Sequence, residues 1–144
     1  MKTLRSMMLG LAMLATGSVV YAAPVSHRNN ATKGEVVNTY VDAIVYGDLG
    51  NVSNAIADNA QFYTIRGSGT LVNAHTKQQV MDYLKSDAAL HEDCTCTSTI
   101  LQDSDKTYIE KVEMKYKNLT RTDVITAHRD GDEWKITKVE TSYK

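Results

Sequence analysis

Apolar side chains first recur at helical spacing after residue 32. Residues 36–45 place valine, tyrosine and isoleucine on one face of a helix. Thr32 and Glu35 precede this pattern at capping-box spacing, in which each side chain satisfies a backbone amide at the helix start. Thr76 and Gln79 repeat the arrangement before a second apolar pattern. The sequence therefore predicts two capped helices, with a shorter helix that Asp48 caps between them.

The remaining pattern is typical of β-strands. Residues 60–66 are rich in β-forming side chains, and the glycines of residues 67–69 turn the chain so that residues 70–72 can return beside them. Asp130-Gly131 is a strong hairpin signal between two later runs. Four β-rich runs with short breaks close the chain: 95–102, 106–117, 120–129 and 133–143. Helices first and hairpins last predict an α+β fold, with helices on one face of a curved antiparallel sheet.

The first 22 residues have the layout of a secretory signal peptide. Lys2 and Arg5 precede an uncharged apolar run at residues 7–15, and small residues lead to a cleavage point after Ala22. The apolar run is too short to cross a bilayer about 30 Å thick. We expect residues 1–22 to be removed on export to a periplasmic or extracellular compartment, leaving no membrane span. A flexible arm at 23–32 and one domain at 33–144 would remain.

Composition narrows the class of protein. The 144 residues are 42% hydrophobic and 23% charged, which is typical of a single globular domain. With 16 basic and 17 acidic residues, the chain has no basic excess, so a nucleic-acid partner is not expected. No motif for a metal or a cofactor is present, and none is expected.

Cys94 and Cys96 are the only cysteines. Residues two apart on a strand point the same way with Cα atoms about 6.5–7 Å apart, at the limit of an unstrained disulfide. A redox pair, or a soft metal site joined by His91, is one interpretation. A pair of small side chains on one strand face is the interpretation that we favour, because metal sites need three or four ligands at defined spacing.

Two strings resemble a known superfamily. YVDAIVYGDLGNVSNAIADNAQF is similar to the opening of nuclear transport factor 2-like domains, and TDVITAHRDGDEWKITKV resembles the closing hairpin of their small "putative lumazine-binding" branch. The resemblance implies a cone-shaped fold with a bent sheet around the long helix, an interior pocket and a homodimer formed through the sheet. It leaves the activity open, because relatives include isomerases, cyclases, dehydratases and binding domains.

Strand alternation predicts which side chains enter the cone. In the run from residue 106, Glu110 shares a face with apolar neighbours that include Met114. Asp123 shares a face with apolar residues in the next strand. Trp134 begins the inward face of the last strand, which carries Lys138 inward too unless a bulge intervenes. Glu110, Asp123 and Lys138 are therefore candidate interior charges, and Asp123 and Lys138 could simply form a structural ion pair.

The leading hypothesis is an exported domain that binds a small, partly apolar molecule inside the cone. Its predicted ligand-binding residues are Tyr40, Phe62, Glu110, Met114, Asp123, Trp134 and Lys138. One alternative is an enzyme of the isomerase or dehydratase type, in which Glu110 or Asp123 is the general base and a tyrosine donates to an oxyanion. Another is a non-catalytic dimerisation or protein-interaction module. The residues do not establish that the protein is an enzyme.

Overall fold

A computed structural model describes residues 30–88 and 93–144. The predicted signal segment, the first part of the predicted arm and His91 lie outside these residues. The elements run in the order α1 (Lys33–Val45), α2 (Val52–Ala55), β1 (Ile56–Ile65), β2 (Leu71–Thr76), α3 (Lys77–Asp87), β3 (Thr95–Asp103), β4 (Thr107–Lys115), β5 (Thr120–Asp130) and β6 (Glu133–Tyr143).

Both predicted capping boxes are present. The Thr32 hydroxyl accepts the Glu35 amide at 3.3 Å, while the Glu35 carboxylate accepts the Thr32 amide at 2.6 Å. Thr76 and Gln79 make the same exchange at the start of α3. The short helix begins later than predicted, because the Asp48 carboxylate accepts the Gly50 amide in a turn instead of capping a helix.

The six strands form one sheet in the order β2-β1-β6-β5-β4-β3. Strands β3 to β6 are the predicted antiparallel meander, and β1 joins it by parallel pairing with β6. Gly131 closes the last hairpin at φ +60°, a backbone conformation that glycine adopts without steric cost. The α+β prediction is confirmed, with a curved open sheet carrying its helices on one face.

The core lies between this sheet and the helices. Helix α1 contributes five buried residues and contacts β5 and β6, while α3 packs on β1 and β2. Apolar side chains that alternate along β4, β5 and β6 meet them from the sheet. Among the described residues, no helix is long and apolar enough to cross a membrane.

A β-bulge changes the phase of the last strand. Thr126 pairs with Lys138 and Ala127 with Ile136, so Thr137 is the extra residue. Its hydroxyl lies 2.7 Å from His128 Nδ1. Beyond the bulge Val139 faces the core and Lys138 lies outside, with its Nζ 3.2 Å from a Glu140 carboxylate oxygen. The predicted inward position of Lys138 and its predicted pairing with Asp123 are therefore wrong.

Candidate functional site

A cavity of about 640 Å³ opens between the helices and one end of the sheet. The C-terminal half of α1 forms one wall, α3 forms a second, and the inner face of the sheet forms the floor. Its lining residues are Tyr40, Ala43, Ile44, Val45, Phe62, Tyr63, Thr64, His75, Gln79, Val80, Tyr83, Leu84, Asp87, Tyr116, Leu119, Arg121, Thr141 and Tyr143. This volume is in the range of small-molecule sites.

A buried ion pair lies at the floor of the cavity. Asp123 has no exposure to solvent, and its two carboxylate oxygens accept hydrogen bonds from Arg121 Nε at 2.9 Å and Nη2 at 2.8 Å. Burial acts to lower the pKa of the guanidinium, but the Asp123 charge and hydrogen bonds, together with the nearby Tyr40 and Tyr143 hydroxyls, outweigh burial and raise the pKa of Arg121. Arg121 therefore stays charged, and Asp123 fixes its direction.

The third guanidinium nitrogen of Arg121 is free for a ligand. Neither of its hydrogen bonds to Asp123 uses Nη1, and its contact with the Tyr40 hydroxyl, at 3.5 Å, also comes from Nη2. Within the described residues, no buried side-chain nitrogen or oxygen lacks a hydrogen-bond partner. Since Arg121 lines the cavity and Nη1 has no hydrogen-bond partner among the described residues, this nitrogen can donate to an acceptor atom of a ligand.

Tyr40 supplies a second donor beside Arg121. Its ring is buried against Phe62, with 6.0 Å between the ring centroids. Burial, followed by the nearby Asp123 charge, raises the pKa of Tyr40, so the phenol keeps its proton at all physiological pH values. The hydroxyl oxygen contacts Arg121 Nη2, and its proton can point toward a ligand.

Polar side chains also lie at the mouth of the cavity. Tyr83 is exposed on α3, and a hydrogen bond with Asp87 raises its pKa. His75 and Gln79 lie at the same rim. A molecule in the cavity would therefore meet hydrogen-bonding groups at both ends and apolar walls between them.

The predicted site residues separate into two groups. Tyr40 and Phe62 line the cavity, and Asp123 lies behind Arg121. Glu110 and Trp134 do not line it.

Glu110 is buried as predicted, and one of its oxygens accepts the Tyr108 hydroxyl at 2.8 Å. Trp134 lies at the other end of the sheet, where it borders a shallower cleft of about 340 Å³. The Lys33 ammonium group lies 5.8 Å from the Trp134 ring centroid and forms an ion pair with Asp103.

Met114 belongs to a group of sulfur atoms beneath the cavity wall. It is fully buried, and its Sδ lies 4.0 Å from the Tyr116 hydroxyl. The Sγ atoms of Cys94 and Cys96 are 3.6 Å apart, and both cysteines are free thiols. We call Cys94, Cys96 and Met114 the sulfur cluster. Burial, and then the neighbouring Cys94 thiol, raise the pKa of Cys96 to about 11.

Arg121 is the functional residue that the sequence analysis missed. It stands two residues before Asp123 on β5, and alternation alone places the two side chains on one face. A basic and an acidic residue at this spacing on a strand indicate an ion pair on one face of the sheet. Tyr143 was also missed, because the bulge in β6 reverses the alternation that Trp134 and Ile136 predict for the residues after it.

The family model described as "putative lumazine-binding" matches residues 28–143. The chain belongs to this family. The fold and the branch that the two sequence strings suggested are therefore confirmed. No curated protein matches the chain.

Solved structures show the same fold at low sequence identity. An NTF2-like protein of unknown function from Silicibacter pomeroyi is 17% identical, with a TM-score of 0.58 over 76% of this chain and 88% of that one. One from Methylobacillus flagellatus is 20% identical, with a TM-score of 0.56 over 77% and 88%. An NTF2-like protein of unknown function in nutrient uptake from Rhodospirillum rubrum is 15% identical, with a TM-score of 0.55 over 78% and 98%. These likenesses establish the fold alone.

Proposed function

We propose that this protein binds a small, planar, partly apolar molecule in the cavity between α1, α3 and the sheet. The observation that carries the proposal is the free Nη1 of Arg121 at the floor of a cavity of about 640 Å³. A preformed apolar cavity with a few fixed polar groups is the usual form of a small-molecule site. The family description, which names lumazine binding, supports the same class of function.

The charge at the floor favours an uncharged acceptor. Asp123 already neutralises the Arg121 guanidinium, so the cavity presents a strong hydrogen-bond donor without net positive charge. A carbonyl oxygen matches this environment better than a carboxylate or a phosphate, whose charge would remain unbalanced on burial. The Tyr40 hydroxyl adds a neutral donor beside it.

The walls favour a planar body. Tyr40, Tyr63, Tyr83, Tyr116 and Tyr143 line the cavity with Phe62, so most of its larger side chains are aromatic rings. Aromatic rings stack on planar ligands and bury much apolar surface at low entropic cost. Lumazine, a bicyclic ring compound with carbonyl oxygens, fits this description and is a natural first probe.

The proposal is tested by calorimetric titration of the full chain with lumazine and by fluorescence titration with Nile red, a neutral planar dye that carries a carbonyl group. Val80→Trp places a bulky ring in the cavity wall on α3, and Val72→Trp makes the same change at an exposed position on β2 outside the cavity. We expect Val80→Trp to abolish binding of the probe and Val72→Trp to leave it unchanged. Equal binding by the two variants would refute the assignment of the cavity.

Native mass spectrometry gives an independent test. Protein purified without added ligand should carry a bound small molecule that is absent from Val80→Trp. A ligand-free spectrum, together with no binding of either probe, would favour the non-catalytic interaction module instead. The enzyme alternative lacks a supporting observation, since the Glu110 and Asp123 carboxylates accept hydrogen bonds from Tyr108 and Arg121 and neither lines the cavity.

We also propose export and a homodimer. The export proposal rests on the signal-like layout of residues 1–22. The intact mass after expression in an exporting host tests it, because retention of those residues would refute cleavage.

The homodimer would form through the outer face of the sheet, where Val124 and Ile109 are half-buried among charged side chains. Val124→Arg should give a monomer in analytical ultracentrifugation, while Val72→Arg on β2 should not. A dimer that survives Val124→Arg would exclude this face.

A further inference from the structure

The sulfur cluster lies outside the hydrogen-bonding groups that the proposed ligand site uses. Cys96 and Met114 are directly opposite each other on the antiparallel pair β3 and β4. Opposed side chains on a sheet have Cβ atoms about 4.5–5.5 Å apart and point to the same face. The Cys94 and Cys96 Sγ atoms are 3.6 Å apart. Two thiols 3.6 Å apart and a thioether on the paired strand therefore lie at one end of the sheet.

Tyr116 lies beside the cluster. Its hydroxyl is 4.0 Å from Met114 Sδ. Because Tyr116 also lines the cavity, the cluster lies directly behind the cavity wall.

We propose that Cys94, Cys96 and Met114 form a binding site for one Cu(I) ion. The separation of the two thiols fits this role. With metal–sulfur bonds of about 2.3 Å, a sulfur–sulfur distance of 3.6 Å corresponds to a bond angle of about 103° at the metal. That angle is far from linear and close to tetrahedral, so a metal ion between the thiols has room for a third ligand. Met114 supplies it from the opposite strand.

The donor set selects the metal. A thioether is a soft ligand, and two thiols with a thioether are ligands that Cu(I) prefers. Structural zinc sites use four nitrogen, oxygen or thiolate ligands. Within residues 30–88 and 93–144, no group of three or more His, Cys, Asp or Glu side chains could hold a metal, so this part of the chain does not complete a zinc site.

The geometry also separates metal binding from disulfide formation. Cys94 immediately precedes β3 and Cys96 is its second residue, and extended residues two apart have Cα atoms spaced at the limit for an unstrained disulfide. A metal ion can bind both thiols without bringing the two sulfur atoms to the bonding distance of a disulfide. Binding replaces the two thiol protons, which pass to solvent, with one Cu(I) ion, and no electron is transferred. Cys96 is exposed and gives the ion a route of entry from solvent.

The test is an anaerobic titration of the reduced full chain with Cu(I) against a chromophoric competing chelator. We expect one ion per chain. Cys96→Ser should lose binding, and Met114→Leu, which conserves volume, should weaken it by about tenfold or more. Met81→Leu changes another buried methionine on α3 and should leave the affinity unchanged. Thr97→Ser is the matched control for the cysteine variant on β3.

X-ray absorption of the copper complex of the unsubstituted protein gives the number of sulfur ligands directly, and misfolding of a variant cannot affect this result. Three sulfur neighbours at about 2.3 Å are expected, and Met114→Leu should reduce them to two. Equal affinity of Met114→Leu and Met81→Leu, or only two sulfur neighbours in the unsubstituted protein, would overturn the three-sulfur site. Displacement of the copper by an equal concentration of Zn²⁺, or an intramolecular disulfide that excludes Cu(I), would overturn it as well.

Discussion

The buried pair of Arg121 and Asp123 allows a quantitative test of the structure. Asp123→Asn keeps the shape of the side chain but removes its charge and one strong hydrogen-bond acceptor. Removing one partner of a buried ion pair costs about 3–5 kcal/mol. The Arg121 side chain keeps 15% of its exposure, and the asparagine oxygen still accepts one hydrogen bond. These two features place the expected loss in the free energy of unfolding at the lower end of this range, about 3 kcal/mol.

Glu140→Gln is the matched control on the neighbouring strand. It makes the same chemical change in a pair with Lys138 whose side chains are 34% and 43% exposed. Exposed ion pairs contribute less than about 1 kcal/mol to the free energy of unfolding. The structure therefore predicts a difference of about 2 kcal/mol or more in the free energy of unfolding between the two substitutions.

Urea unfolding followed by the fluorescence of Trp134, the single tryptophan, measures both variants. With an m value of about 2 kcal/mol/M, Asp123→Asn should lower the midpoint by about 1.5 M and Glu140→Gln by less than about 0.5 M. In about 1 M salt the smaller effect should vanish and the larger should persist, because buried charges are poorly screened. Losses that agree within about 0.5 kcal/mol would refute the assignment of a buried pair.

Three further predictions concern other parts of the fold. Tyr108→Phe should cost about 1–3 kcal/mol in urea unfolding, because it leaves the buried Glu110 carboxylate without its donor; a loss below about 0.5 kcal/mol would contradict the hydrogen bond. Burial, with Glu110 and Cys94 as nearby groups, raises the pKa of Tyr108 and of Tyr116 to about 12. Between pH about 10 and pH about 12 the folded state keeps the phenol protons that the unfolded chain loses. The stability that the two protonated tyrosines contribute is therefore complete below pH about 10 and is lost toward pH 12. Circular dichroism should show that the folded fraction falls more steeply at alkaline pH for the parent than for Tyr108→Phe. Gly131→Ala should destabilise by about 1 kcal/mol in thermal unfolding because of its positive φ, whereas Gly67→Ala, also in open space but without a positive φ, should not.

Local signals explain why the elements were predictable from the sequence. A capping box needs only two side chains three residues apart, and both Thr32 with Glu35 and Thr76 with Gln79 form as predicted. The Asp130-Gly131 hairpin is equally local. The long β-rich runs contain no proline, so nothing interrupts their pairing. Each of these features depends on neighbours within a few residues, and the fold class followed from their order.

The position of the cavity along the strands was not predictable in this way. Alternation tells which face of a strand is inward, but not which end of the sheet the helices leave open. Trp134 and Phe62 both belong to the inner face of the sheet, yet only Phe62 lines the cavity. Helix α3 packs on β1 beside Phe62, whereas the start of α1 covers the end of the sheet that carries Trp134. The open end is set by helix placement, which depends on contacts across the whole domain.

The bulge at Thr137 explains why the sequence analysis placed Lys138 inside the cone, and this position bears on the proposed ligand site. One extra residue in β6 turns Lys138 out of the interior and brings Val139 and Thr141 in. A straight strand would have turned the Lys138 ammonium group into the interior. With the bulge, Asp123 pairs only with Arg121 among the described residues, and neither hydrogen bond of the pair uses Nη1. The register shift on β6 therefore keeps Lys138 away from the buried pair on which the proposed ligand site depends.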